Sequence, residues 1–277
     1  MLLTELPRPF IVAVATDRTV AGMLQTIERA VREGADAIEL NLPAVADVLS
    51  EELEEMLAKA SLPVYTTCRR RQFMTVYGFD AGDLPNWPDE ERMERQLAAL
   101  HFGSVAIDME LDTFDPCPPP PLGSPEAARF AAEPGAPAEL THDRDAVEKQ
   151  RGVVSEAHTA GAQVLLSCHT GRPQTAGQLM AIGQEAADRG ADLLKIVSPC
   201  RDAEDLAHLY GASRTLSASL PIPFVLVGSG TAGLESRTEG WRHGSSWIIA
   251  QVERVAGGFQ DQPLVVEAKG KMHSARA

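Results

Sequence analysis

The chain has 277 residues, 44% of them apolar, enough to build a sizeable buried core and too apolar for disorder throughout. Lysine and arginine number 25 against 39 aspartates and glutamates, and the formal charge of −14 argues against nucleic acid or an anionic membrane as partner. No apolar run approaches the roughly 20 residues that span a bilayer, and residues 1–10 lack the basic and apolar regions of a signal peptide. The four cysteines, Cys68, Cys117, Cys168 and Cys200, show no C-x-x-C pairing. A soluble cytoplasmic protein is expected, with free thiols, no metal site and no disulfide framework.

Two kinds of segment alternate along the chain. Apolar or β-branched runs predict strands at 10–15, 37–42, 63–68, 105–111, 163–169, 193–197 and 224–228, with an eighth at 246–249. Amphipathic stretches between them predict helices at 19–33, 47–60, 89–101, 143–160, 175–189 and 202–217. Several of these open on Thr or Asp, which suit an N-cap, and three close on a glycine suited to a left-handed C-cap: Gly34, Gly161 and Gly190. This repeated βα unit predicts an α/β fold of the (β/α)8 TIM-barrel type, as a single domain over residues 1–277. A doubly wound open sheet is the alternative.

One stretch breaks the rhythm. Eight of the 19 prolines lie between Asp115 and Ala138, a composition that favours polyproline or irregular chain over helix or strand. Residues 115–138 are therefore read as an insertion in the loop after the fourth strand. It is either a disordered surface loop or an ordered flap, since loops that follow barrel strands open onto the catalytic face.

Chemistry-bearing side chains gather at strand ends. Lys59, Lys149, Lys269 and Lys271 fall on helical or tail segments, whereas Lys195 lies within Leu193-Leu194-Lys195-Ile196-Val197. A strand covered on both faces strips hydration from an amine, lowers its pKa and leaves free base for attack on a ketone. A lysine paired with a carboxylate, or one reaching past the strand end, reads equally well from the residues alone. His169 ends the preceding predicted strand, one βα unit away, and an imidazole there suits the transfer of a proton made acidic by an iminium.

Other strand ends are polar as well. Glu39 and Asn41 share one face of Ile38-Glu39-Leu40-Asn41-Leu42, Asp108 and Glu110 share one of Ile107-Asp108-Met109-Glu110-Leu111, and Arg69 follows the third strand. Each reads singly as a salt bridge or solvated rim; together they describe a site for a small, hydroxylated, anionic molecule. The turn Gly228-Ser229-Gly230-Thr231-Ala232-Gly233 is a weak signal for phosphate held on backbone N–H groups, and Arg237 beyond it could grip a carboxylate.

Six segments, taken in order, resemble the type I 3-dehydroquinate dehydratase family: Ala35-Asp36-Ala37-Ile38-Glu39-Leu40, Thr66-Thr67-Cys68-Arg69, Ile107-Asp108-Met109-Glu110-Leu111, Leu166-Ser167-Cys168-His169, Ala191-Asp192-Leu193-Leu194-Lys195-Ile196 and Ser236-Arg237. The resemblance implies a Schiff-base syn dehydration of 3-dehydroquinate to 3-dehydroshikimate in the shikimate pathway, without metal or organic cofactor. It implies that Lys195 forms the imine and that His169 moves the proton. By the same resemblance Glu39 and Arg69 hold substrate hydroxyls, Arg237 binds the substrate carboxylate, and Gln260 or Gln262 closes the site. A homodimer would agree with the family.

The chain departs from the family's usual pattern at two places. Asn41 stands where the family has an arginine, and Phe73 where it has the glutamate that orients the catalytic histidine. Glu110, which shares its strand face with Asp108, is the candidate to replace that acid. Two other functions stay open: a Schiff-base aldolase of the same fold, and a non-catalytic homologue that binds a small acid.

Overall fold

The computed structural model describes residues 1–48, 50–75, 78–120, 124–254 and 260–274. The strands are β1 (Phe10–Ala15), β2 (Ala37–Asn41), β3 (Val64–Thr67), β4 (Ala106–Glu110), β5 (Gln163–His169), β6 (Leu193–Pro199), β7 (Phe224–Ser229) and β8 (Trp247–Gln251). The helices are α1 (Val20–Glu33), α2 (Ser50–Lys59), α3 (Arg71–Met74), α4 (Asp89–Leu100), α5 (Pro125–Ala132), α6 (Arg144–Thr159), α7 (Ala176–Asp188), α8 (Ala203–Ser219), α9 (Ser236–Glu239) and α10 (Val265–Ser274). All the strands join one sheet in the order β7-β6-β5-β4-β3-β2-β1-β8. From β1 to β7 each strand thus lies beside the next in the chain, and β8 lies beside β1, which is (β/α)8 order; a doubly wound sheet would reverse direction part-way. No described helix is long and apolar enough to cross a membrane.

Two compact units are distinguishable. The first comprises Met1–Asp108, Glu156–Gln163 and Ile249–Ala277. Here β1, β2 and β3 pair in parallel, with Glu39 opposite Tyr65 and Asn41 opposite Thr67. Helix α1 turns Met23, Ile27 and Ala30 inward at helical spacing, and the Thr19 side chain caps its start by accepting from the Gly22 N–H. Gly34, with φ of 88°, ends the helix as the sequence predicts. Two residues on, Asp36 donates its N–H to the Ile11 carbonyl and accepts the Ile11 N–H on its carboxylate, tying the end of the βα unit to the strand that opened it.

The second unit comprises Met109–Ser155 and Val164–Ile248. The same device recurs there. Gly190 has φ of 92° and Asp192 makes the same reciprocal pair with Val164. Helices α7 and α8 start on the side-chain caps Thr175 and Asp202. Strands β5, β6 and β7 pair in parallel with Ser167, Lys195 and Val225 in one rung and His169, Val197 and Val227 two rungs further along the chain direction.

The proline-rich stretch corrects one expectation. It carries the helix α5, because Ser124 caps the N-terminus through the Ala127 N–H, Pro125 occupies the first turn where no N–H is needed, and good helix formers follow. The stretch is also packed down: the Arg172 guanidinium lies 3.3 Å from the centroid of the Phe130 ring, and the Gly135 carbonyl accepts from the amides of Gln174 and Gln178. Pro121 and its neighbours Leu122 and Gly123 lie outside the described residues.

Candidate active site

In the second unit, parallel register puts Lys195 and His169 on the same face of neighbouring strands, because residues two apart along a strand share a face and rung partners do too. Lys195 is 6% exposed and is flanked along β6 by Leu193, Leu194, Ile196 and Val197. The other lysines sit on helices: Lys59 on α2, Lys149 on α6, Lys269 and Lys271 on α10.

His169 carries a partner that the sequence reading did not name. One oxygen of Glu139, Oε2, lies 2.8 Å from the ring Nδ1 and accepts the backbone N–H of His169 at 2.8 Å. An ionised carboxylate only accepts, so Nδ1 carries the proton and donates it. When the ring is neutral, a proton on Nδ1 leaves the lone pair on Nε2, the form a general base needs. Glu110, the acid expected in this role, is buried and accepts from the Thr113 hydroxyl at 3.1 Å.

Arg237 lies in α9 and is buried. The neighbouring Ser236 hydroxyl accepts from the Gly228 N–H and donates to the Gly233 carbonyl, and the Gly233 N–H goes to the Gly230 carbonyl. A Cβ on Gly228 would fall 2.6 Å from the Gly233 Cα, so the turn needs glycine for its own closure. Two of the N–H groups that the phosphate reading calls upon, those of Gly228 and Gly233, are engaged within the turn.

In the first unit, Glu39, Asn41, Tyr65, Thr67 and Asp108 share a face through the β2–β3–β4 rungs, and all are buried. The Tyr65 hydroxyl donates to Glu39 Oε2 at 2.6 Å and the Asn41 amide reaches Oε1 at 3.4 Å, so the carboxylate is held in one orientation. Tyr65 was legible as a strand residue but not as this partner. Asn41 Oδ1 and the Thr67 hydroxyl are buried and have no hydrogen-bond partner among the described residues, a cost that a hydroxylated ligand would relieve. Arg69 is also buried and lies over the Phe73 ring.

The two glutamines separate. Gln262 is buried, with Oε1 unpartnered among the described residues, whereas Gln260 is exposed. The backbone carbonyls of both accept from Arg254. Gly257, Gly258 and Phe259 of the same loop lie outside the described residues.

The sequence profile of the type I 3-dehydroquinase family matches residues 11–260. The chain belongs to that family. A 3-dehydroquinate dehydratase of Alkaliphilus oremlandii is 30% identical over 124 residues, 44% of this chain and 48% of that protein, so the match spans about half the length of this curated relative. Among solved structures, the type I 3-dehydroquinate dehydratase from Clostridium difficile superposes with a TM-score of 0.76 at 17% identity, covering 99% of this chain and 97% of that one. The 3-dehydroquinate dehydratase from Geobacillus kaustophilus gives 0.74 at 16% identity, covering 100% and 96%. At such identities the likeness shows the fold, which is the (β/α)8 barrel of this 3-dehydroquinase family.

Proposed function

We propose that the chain dehydrates 3-dehydroquinate to 3-dehydroshikimate in the shikimate pathway, through an imine on Lys195. The observation that carries this reading is the placing of a buried lysine, and of a histidine whose Nδ1 faces a carboxylate, on one face of adjacent strands. The amine of Lys195 adds to the C3 ketone, and loss of water gives an iminium. His169 Nε2 then takes the C2 proton; the electron pair passes into the iminium to form an enamine, which expels the C1 hydroxyl as His169 returns the proton to it. Hydrolysis of the resulting imine frees the product, and the net change is the loss of one water. The imine serves as electron sink, and no cofactor enters the scheme.

Family membership supports the remaining roles: Glu39 and Arg69 for the hydroxyls, Arg237 for the carboxylate, and Gln262 rather than the exposed Gln260 for closing the site. The same reading takes residues 1–277 as one domain with residues 115–138 inserted, working as a cytoplasmic homodimer. Sedimentation of the purified protein tests the dimer. Turnover is tested by adding 3-dehydroquinate and following the ultraviolet absorbance of the conjugated enone. Growth of that band supports dehydration; release of an aldehyde without the band would mean aldol cleavage, and no reaction would mean a binding protein.

A further inference from the structure

We infer that Glu139 is the positioning residue for His169, and that the proline-bearing excursion between β4 and α6 exists in part to deliver it; this rests on the reaction proposed above. Position 73, where the family resemblance calls for the acid that orients the histidine, is phenylalanine. The acid that the structure sets against His169 comes from another part of the chain.

The excursion is fastened at its neck. The Leu111 carbonyl, where it leaves β4, accepts from the Thr141 N–H, from Gln150 and from Arg189, and the Thr141 carbonyl accepts a second hydrogen bond from Arg189. Arg189 is buried and also bonds Gln150, so the neck cannot splay without stranding a buried guanidinium. From there the chain runs back along the end of β5. The Ala138 N–H goes to the Thr170 carbonyl and the Glu139 N–H to the His169 carbonyl, while the Glu139 carboxylate takes the His169 N–H. Backbone and side chain together fix Glu139 Oε2 beside the ring Nδ1, and its side chain is only 10% exposed. A carboxylate so held selects the Nδ1–H tautomer and stabilises the imidazolium formed when C2 is deprotonated.

A merely structural Glu139, one that only ties the excursion to β5, would be replaced well by glutamine, whose oxygen can still accept the His169 N–H. The two roles part at the ring. The experiment is ring ¹⁵N NMR of His169 in the free protein, assigned with His169→Ala, for wild type, Glu139→Gln and Glu139→Asp, together with the pH dependence of 3-dehydroquinate turnover. Removing the carboxylate removes a negative charge that favours the cation, so the His169 titration and the acid limb of kcat/KM should both move to lower pH in Glu139→Gln. The other charged groups of the elements about β5, namely Glu110 on β4, Lys195 on β6 and Arg172 after β5, are common to all three proteins.

We expect kcat to fall roughly 10²-fold with KM little changed, and Glu139→Asp to recover part of the loss. A ring titration unmoved by Glu139→Gln overturns the inference whatever the activity. A moved titration in a protein that never turns over 3-dehydroquinate supports the positioning role and overturns the reaction instead. Should the variant misfold, wild type alone decides, since an Nε2–H tautomer at neutral pH overturns the assignment.

Discussion

The guanidinium carbon of Arg69 lies 4.0 Å from the centroid of the Phe73 ring, four residues along the same chain. At the position where the family resemblance calls for an acid, this chain carries a ring face. The ring face attracts the cation and helps to hold Arg69 in place. For Phe73→Leu we expect KM for 3-dehydroquinate to rise about two- to tenfold, the equivalent of a cation–π contact of roughly 0.5–1.4 kcal/mol, with kcat nearly unchanged. Steady-state kinetics decide; a loss in kcat at constant KM would remove Arg69 from the binding role.

His169→Ala separates bond formation from proton transfer. The variant should still be trapped on 3-dehydroquinate by borohydride, because Lys195 forms the imine, yet turnover should fall at least ~10²-fold. Intact mass and the enone assay together check this, and undiminished turnover would put the proton-transfer role on another group.

Arg189 makes a prediction about stability. Burial lowers the pKa of its guanidinium, with Glu185 opposing, and its hydrogen bonds hold the Leu111 and Thr141 carbonyls. Arg189→Met keeps the apolar stem but takes the guanidinium donor from the Thr141 carbonyl and from Gln150 Oε1 while leaving the Leu111 carbonyl its other donors, and should cost roughly 2–4 kcal/mol in urea unfolding. Amide exchange should quicken across residues 112–140 before it does elsewhere. Unchanged exchange there would mean that the neck holds without Arg189.

Thiol reactivity tests the burial pattern. Burial, with Asp205 and Asp202 adding to it against Arg237, pushes the Cys200 thiol up to about 11, whereas Cys117 is exposed. At pH 8 about one Cys200 in a thousand would be thiolate, so iodoacetamide should modify Cys117 first and reach Cys200 only on denaturation. Peptide mapping of the native protein reads this directly. A carbamidomethyl group on native Cys200 would contradict it.

Much of this architecture was legible because its signals are local. The strands at 10–15 and 163–169 coincide with β1 and β5, and Thr19, Thr175 and Asp202 cap the helices that the patterning placed after them. Helix α2 starts at Ser50, three residues later than the patterning suggests, after a 3-10 turn at Leu42–Val45 that contains Pro43. Helix α5 was hidden by composition: the prolines around it outweighed a Ser124-Pro125 start that is itself a helix signal. Lys195 and His169 could be found because one is a lone charge within an apolar strand, the other ends a strand, and the strands are consecutive in the chain. Glu139 could not, since nothing in its surroundings marks it; its place beside His169 follows from the neck closed by Arg189 and Gln150, 50 and 11 residues further along. Tyr65 likewise acquires its meaning only from the rung that sets it opposite Glu39.

The central claim is covalent, and one measurement meets it directly. The protein is incubated with 3-dehydroquinate, reduced with borohydride, weighed intact and then digested to locate the adduct. We predict one adduct per chain, on the peptide that contains Lys195, and none in Lys195→Ala, since the other lysines lie on helices. An adduct that survives in Lys195→Ala, or a wild-type protein that turns over 3-dehydroquinate yet is never trapped, would contradict the account.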